Sequence, residues 1–140
     1  MTEIDQVEDL IIATVKAQVS GLRDCVTWQG AIEDLLKQPK NLPAVWVIYT
    51  GESHEGKTTI GSNYHNRAMK FTLALIVQNL KSRQDGARGA YAFIEGINNC
   101  LTGLSLSPLS GFLWPVRDDL IDLGSGIFIY GLEFERRFSK

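Results

Sequence analysis

Gly51-Glu52-Ser53-His54-Glu55-Gly56-Lys57-Thr58 carries the spacing G-x-x-x-x-G-K-[ST] in full. That spacing suits phosphate chemistry. Glycines let backbone N–H groups wrap a phosphate, a lysine reaches the outer phosphates, and a threonine hydroxyl holds Mg²⁺. A β-forming run, Ala44–Thr50, leads into it, as such a site requires. The residues after it do not fit. A phosphate loop must open a helix whose N-terminal dipole faces the ligand. Here Thr59-Ile60-Gly61-Ser62-Asn63 supplies two β-branched residues and then turn formers, and period-2 alternation sets in from Arg67. A second strand ending in aspartate is also missing, since Leu75-Ile76-Val77 runs into Gln78-Asn79. Gly51, Gly56, Lys57 and Thr58 therefore read as a look-alike inside a polar hairpin loop, 51–63, and no cofactor is expected. A small nucleotide-binding protein using Gly51–Thr58 is the alternative reading.

Other chemistry-bearing residues do not gather into a catalytic set. His54 and His65 stand eleven apart with no cysteine nearby, so they read as loop histidines, and no metal is expected. Asp118, Asp119 and Asp122 could suggest paired carboxylates, but adjacent acids on a strand point to opposite faces, and solvated charge explains them. No serine sits in a G-x-S-x-G elbow. Trp28, Trp46 and Trp114 are scattered and lack flanking Arg or Lys, so they read as core and not as a base-stacking platform. Cys25 and Cys100 form no C-x-x-C pair and read as two reduced, buried thiols. The sum is a protein expected not to be an enzyme.

The elements that would position these residues alternate in period. Ile4, Val7, Ile11, Val15 and Gln18 predict an amphipathic helix over 3–20, with Thr2 and Asp5 as a capping box and Gly21 as its stop. A short strand is expected next at Cys25–Trp28, and Ala31–Leu36 suggests one or two helical turns ended by the Pro39 to Pro43 stretch. Ala44–Thr50 is a continuous apolar run, read as a central strand buried on both faces. Arg67–Asn79 alternates, with Met69, Phe71, Leu73, Leu75 and Val77 on one face, and should pair with it antiparallel. Asp85 is the expected N-cap of a second helix over about 86–101, in which Gly89 and Gly96 would flatten one side. Pro115 marks Phe112–Leu123 as an edge strand or a bulged one. Ile127–Phe138 is a strong last strand. Phe71, Leu73, Leu75, Phe128, Tyr130, Leu132 and Ile11 are the expected core. This order predicts an α+β fold: a single mainly antiparallel sheet, with room for a mixed pair, and two helices on one face.

The whole chain of 140 residues suits a single domain, 1–140. It is 44% hydrophobic and 21% charged with a net charge of −2, which excludes a generally basic nucleic-acid binder. No apolar run reaches membrane-helix length, and the acidic start, Met1-Thr2-Glu3-Ile4-Asp5, is neither a signal nor a transit peptide. Charge is unevenly spread. Residues 1–36 carry seven acids against Lys16 and Arg23, a balance of −5. Residues 56–88 carry six bases against Asp85, a balance of +5. Such blocks can attract one another across a subunit boundary. Lys57, Arg67, Arg83 and Arg88 from the basic block, with Phe112 and Trp114 from the edge strand, are the candidate interaction residues.

Several local strings resemble the tail-terminator-like proteins of Mu-like phages and prophages, which are akin in structure to the lambda tail terminator. They are Leu42-Pro43-Ala44-Val45-Trp46-Val47, Gly89-Ala90-Tyr91, Leu101-Thr102-Gly103-Leu104 and Tyr130-Gly131-Leu132-Glu133-Phe134. None is a catalytic signature. The resemblance covers nearly the whole chain in layout. It implies a phage tail-protein fold that assembles into a homo-oligomeric ring, a hexamer in that family. Such a ring would cap the tail tube, stop its polymerisation and offer a surface to the head connector, with a basic inner loop facing DNA in the pore. It also implies assembly in the cytoplasm of a bacterial host, without a membrane, and a place in the virion tail of a functional phage.

Overall fold

The computed structural model describes residues 2–27, 43–55, 66–78, 83–124 and 127–139. Helix α1 spans Glu3–Gln18. Its start is the capping box read from Thr2 and Asp5: the Asp5 amide donates to Thr2 Oγ1 and the Thr2 amide donates to Asp5 Oδ2, both at 3.1 Å. α1 stops two residues before the expected end. Val19 turns to an extended conformation (φ −107°, ψ 110°), and Gly21, at φ +91°, redirects the chain. Only the glycine takes this left-handed angle without strain.

Strand β1 is Asp24–Thr27, β2 is Ala44–Glu55 and β3 is Asn66–Gln78. Helix α2 spans Arg83–Leu101, followed by β4, Phe112–Gly124, and β5, Ile127–Ser139. The sheet order is β1-β2-β3-β5-β4. β2–β3, β3–β5 and β5–β4 pair antiparallel, while β1 runs parallel to β2, so the sheet is mixed. Trp28 and the helical turns expected at Ala31–Leu36 lie outside the described residues.

β2 and β3 adopt the expected antiparallel register, Val45 opposite Leu75 and Tyr49 opposite Phe71. The expected loop at 51–63 is a correction. β2 continues through Gly51–Glu55, which pairs with Lys70–Asn66, so the part of the loop left beyond it, 56–63, lies outside the described residues. A bulge between Tyr49 and Gly51, with Gly51 at φ +135°, makes the extension possible. One unpaired residue resets the alternation, so Tyr49 and Glu52 share a face.

The helices cover one face. There Val7, Ile11 and Val15 of α1 and Ala90, Ile97 and Leu101 of α2 are buried with Val45, Val47, Met69, Phe71, Leu73, Leu75, Phe128, Leu132 and Phe134. Of the expected core, only Tyr130 falls short of full burial; its ring stacks on Phe128 at 6.4 Å. Gly96 packs beside Val19, where a Cβ would make ordinary contact at 3.5 Å, and Gly89 faces open space, so neither glycine is what lets the helices approach. The opposite face holds a smaller cluster, Ala44, Trp46, Ala74, Ile76 and Ile129. Of the run Ala44–Thr50 expected to be buried on both faces, Ala44–Val47 is so, while Ile48 and Tyr49 are half-buried and Thr50 is exposed. Of the tryptophans read as core, Trp46 is buried, but Trp114 is 41% exposed.

α2 opens at Arg83, which corrects the expected N-cap at Asp85. Asp85 sits in the first turn instead, where the helix dipole also favours an acid. After Gly103, at φ +74°, the chain to β4 buries Leu106 and returns along the sheet at Gly111. A Cβ at Gly111 would lie 2.5 Å from the Arg137 carbonyl oxygen, so the backbones meet there only because the side chain is absent.

Candidate assembly surface

β4 is an edge strand, and it is bulged. Register breaks fall between Pro115 and Arg117 and between Leu120 and Asp122. Proline has no N–H to give a ladder, so both outcomes read from Pro115 occur together. The bulges turn apolar side chains outward. Phe112, Trp114, Val116, Leu120 and Ile121 are all between 40% and 45% exposed. Of the large hydrophobic residues exposed among the described residues, only Val26 and Tyr91 lie elsewhere, and Val26 is on β1, the opposite edge. Clustering of this kind marks an interaction surface, whereas single exposed apolar residues are ordinary.

The inward side of β4 is firmly held. Leu113 is fully buried, and its amide donates to the Leu104 carbonyl at 3.0 Å while its carbonyl accepts from Gly103 at 2.8 Å. The Phe112 ring meets Trp114 edge-on at 6.2 Å, and the Arg137 guanidinium lies 5.5 Å from the Trp114 ring centre. Farther along, Arg117 pairs with Glu133 at 3.1 Å and with Asp119 at 3.2 Å. Asp118 faces the helices and accepts from Asn98 Nδ2 at 3.0 Å. The adjacent acids thus point to opposite faces, as strand alternation requires.

Arg136 anchors the region from below, and sequence reasoning missed it. The alternation of β5 puts it on the helix face between Phe134 and Phe138, where it is only 1% exposed. Its Nε donates to the Ser110 carbonyl at 2.9 Å, Nη2 to Ser110 Oγ at 3.3 Å and Nη1 to Glu3 Oε2 at 3.2 Å. Its guanidinium stacks 3.7 Å from the Phe138 ring centre. One side chain so ties the start of α1, the chain leading into β4 and the end of β5. A charged residue at an apolar-face position was the available signal.

The candidate interaction residues divide. Phe112 and Trp114 lie together on the open edge. Arg67 is engaged inside the subunit, ion-paired to Glu52 and 5.0 Å over the Phe138 ring, so it does not join that strip. Arg83 and Arg88 belong to the first turns of α2, and Lys57 lies outside the described residues. Among the described side chains of the six, only Phe112 and Trp114 come together.

The phosphate-loop look-alike is turned to another use. Gly51–Glu55 forms a ladder with β3 in place of a loop closing on a ligand. Backbone groups committed to strand pairing cannot wrap a phosphate. Both cysteines are free: Cys25 is buried, which pushes its thiol up to about 11, and the half-buried Cys100 is raised for the same reason. Such thiols are poor nucleophiles and ligands. Among the described residues no His/Cys/Asp/Glu cluster could hold a metal ion, and no helix is long and apolar enough to cross a membrane.

Comparison with known proteins gives two findings. The sequence model of the family described as "Phage tail terminator protein" matches residues 4–139. Among solved structures, a chain from the virion of a native gene transfer agent particle is similar in fold, with a TM-score of 0.54 at 15% identity, covering 98% of this chain and 91% of that one. No curated protein matches.

Proposed function

The chain belongs to the phage tail terminator family and is a structural component of tail assembly, and from that premise we propose that copies of it close into a ring on the open end of a tail tube. The ring ends tube growth and presents its far side to the head connector. The exposed apolar edge of β4 carries this reading, because clustered apolar residues open to water mark a surface that binds a partner. Surface ion pairs contribute about 0–1 kcal/mol each, so the acidic and basic blocks orient the contact while apolar area holds it. The role needs no catalytic group: it works by occupying the site where the next tube subunit would add. Contact with DNA passing through the ring would come from the basic middle of the sequence and would weaken with salt. Assembly of this kind takes place in the cytoplasm of the bacterial host.

Size-exclusion chromatography with light scattering, over a range of concentrations and with purified tail tubes added, tests the proposal. The expected result is a closed oligomer of fixed mass, formed alone at high concentration or on the tubes. A chain that stays monomeric in both settings and does not co-sediment with tubes overturns it.

A further inference from the structure

Resting on the ring reading, we propose that neighbouring copies join edge to edge, the β4 edge of one subunit docking against the β1 edge of the next. Both strands end the sheet, and no described strand pairs with the outer side of β1 or with β4 beyond Leu113. These two strands also carry all but one of the exposed large hydrophobic residues among the described residues. Between its two bulges β4 offers a regular run of four residues, Arg117–Leu120, which can lie along Asp24–Thr27 of β1. The side chains match by face. Leu120 and Asp118 pair across from Tyr130 and Leu132, on the helix side of the sheet. Beside β1, on that same side, lies an open cleft of about 240 Å³ lined by Lys16, Val19, Leu22, Arg23, Asp24 and Cys25. Leu120 would meet the apolar part of the cleft.

Charge points to the same occupant. Lys16 and Arg23 make no ion pair with a described acid, while β4 brings Asp118 to the same face as Leu120. Because one edge meets a different edge, the contact is head-to-tail, the class that closes into rings when the rotation permits. Each added subunit leaves a fresh β4 edge until the last one covers it, which removes the aggregation hazard of an open strand.

The test uses two charge-reversed variants of the full chain. The first carries Asp118→Lys; the second carries Lys16→Glu with Arg23→Glu. Each alone places like charges at every junction and should raise the concentration for half-assembly at least about tenfold. In an equimolar mixture a ring in which the two variants alternate has opposite charges at every junction, and assembly should return to within about threefold of the unaltered chain. Circular dichroism melts establish that each variant folds. If the first does not, because Asp118 is bonded to Asn98, Leu120→Glu replaces it and should block assembly alone. An unaltered chain that assembles while folded variants assemble equally well, or whose mixture does not recover, overturns the edge pairing and leaves the ring standing. An unaltered chain that assembles under no condition, tubes included, overturns the ring reading and the pairing with it.

Discussion

Two buried charged residues answer differently to substitution. Arg136 is held by Ser110, Glu3 and the Phe138 ring while almost wholly out of water. Arg136→Ala removes those donors and opens a void, and it should cost about 2–4 kcal/mol in urea melts. Arg137→Ala, one residue on but with its side chain 53% exposed, should stay within about 0.5 kcal/mol. Glu8 has no such network. Burial raises its pKa above the ordinary 4.5, which a hydrogen bond from Thr27 only partly offsets. A carboxyl with a raised folded pKa binds its proton more tightly in the native state, so stability falls as pH rises from the ordinary value through the raised one. Glu8→Gln removes that loss. Thermal melts should show the variant gaining on the unaltered chain as pH passes through this window, and a gap independent of pH would contradict it.

Elements are set by their ends. α1 begins at a reciprocal pair of hydrogen bonds, and Thr2→Ala should cost about 1 kcal/mol, the usual effect of losing such a cap. The hydrogen bonds from Thr2 also hold the Asp5 carboxyl below its usual range. A lowered acid pKa gives stability that is present at neutral pH and lost as pH falls through the folded value. The penalty of Thr2→Ala should therefore shrink in acid, as denaturant melts at several pH values would show. β4 is governed at its middle instead, where two bulges break the ladder and spread its apolar residues over both faces. An edge this irregular accepts only a short strand, which limits wrong partners.

A sheet open at both edges, with its helices on one face, leaves two ends to be covered. Nucleotide binding is the function this architecture opposes most directly, because the first five residues of the look-alike motif belong to a hairpin strand. Isothermal calorimetry with Mg-ATP and with Mg-GTP should register no binding, and Lys57→Ala should leave assembly on tail tubes unchanged. A micromolar dissociation constant that Lys57→Ala abolishes would restore the enzyme reading.

Local pattern by itself determined the helices, the central strand and the antiparallel hairpins, and it marked β4 as an edge or a bulged strand. Each of these is a property of one segment: the period of Met69 to Val77, the unbroken run Ala44–Val47, the missing N–H of Pro115. Tail-terminator-like strings likewise pointed to the family before any coordinate was needed. Periodicity says which side of a segment is apolar, but not what lies against it. Hence only the tertiary structure decided that β1 runs parallel to β2, that β2 continues past Tyr49 through a bulge, and that Arg67 turns inward to Glu52. It also decided that Trp114 stays in water, because its side chain alternates away from buried Leu113 onto the sheet face that the helices do not cover. Arg136 shows the reason most clearly. Its partner Glu3 is 133 residues away in the chain, and a charge can be buried only where folding brings such a partner to it.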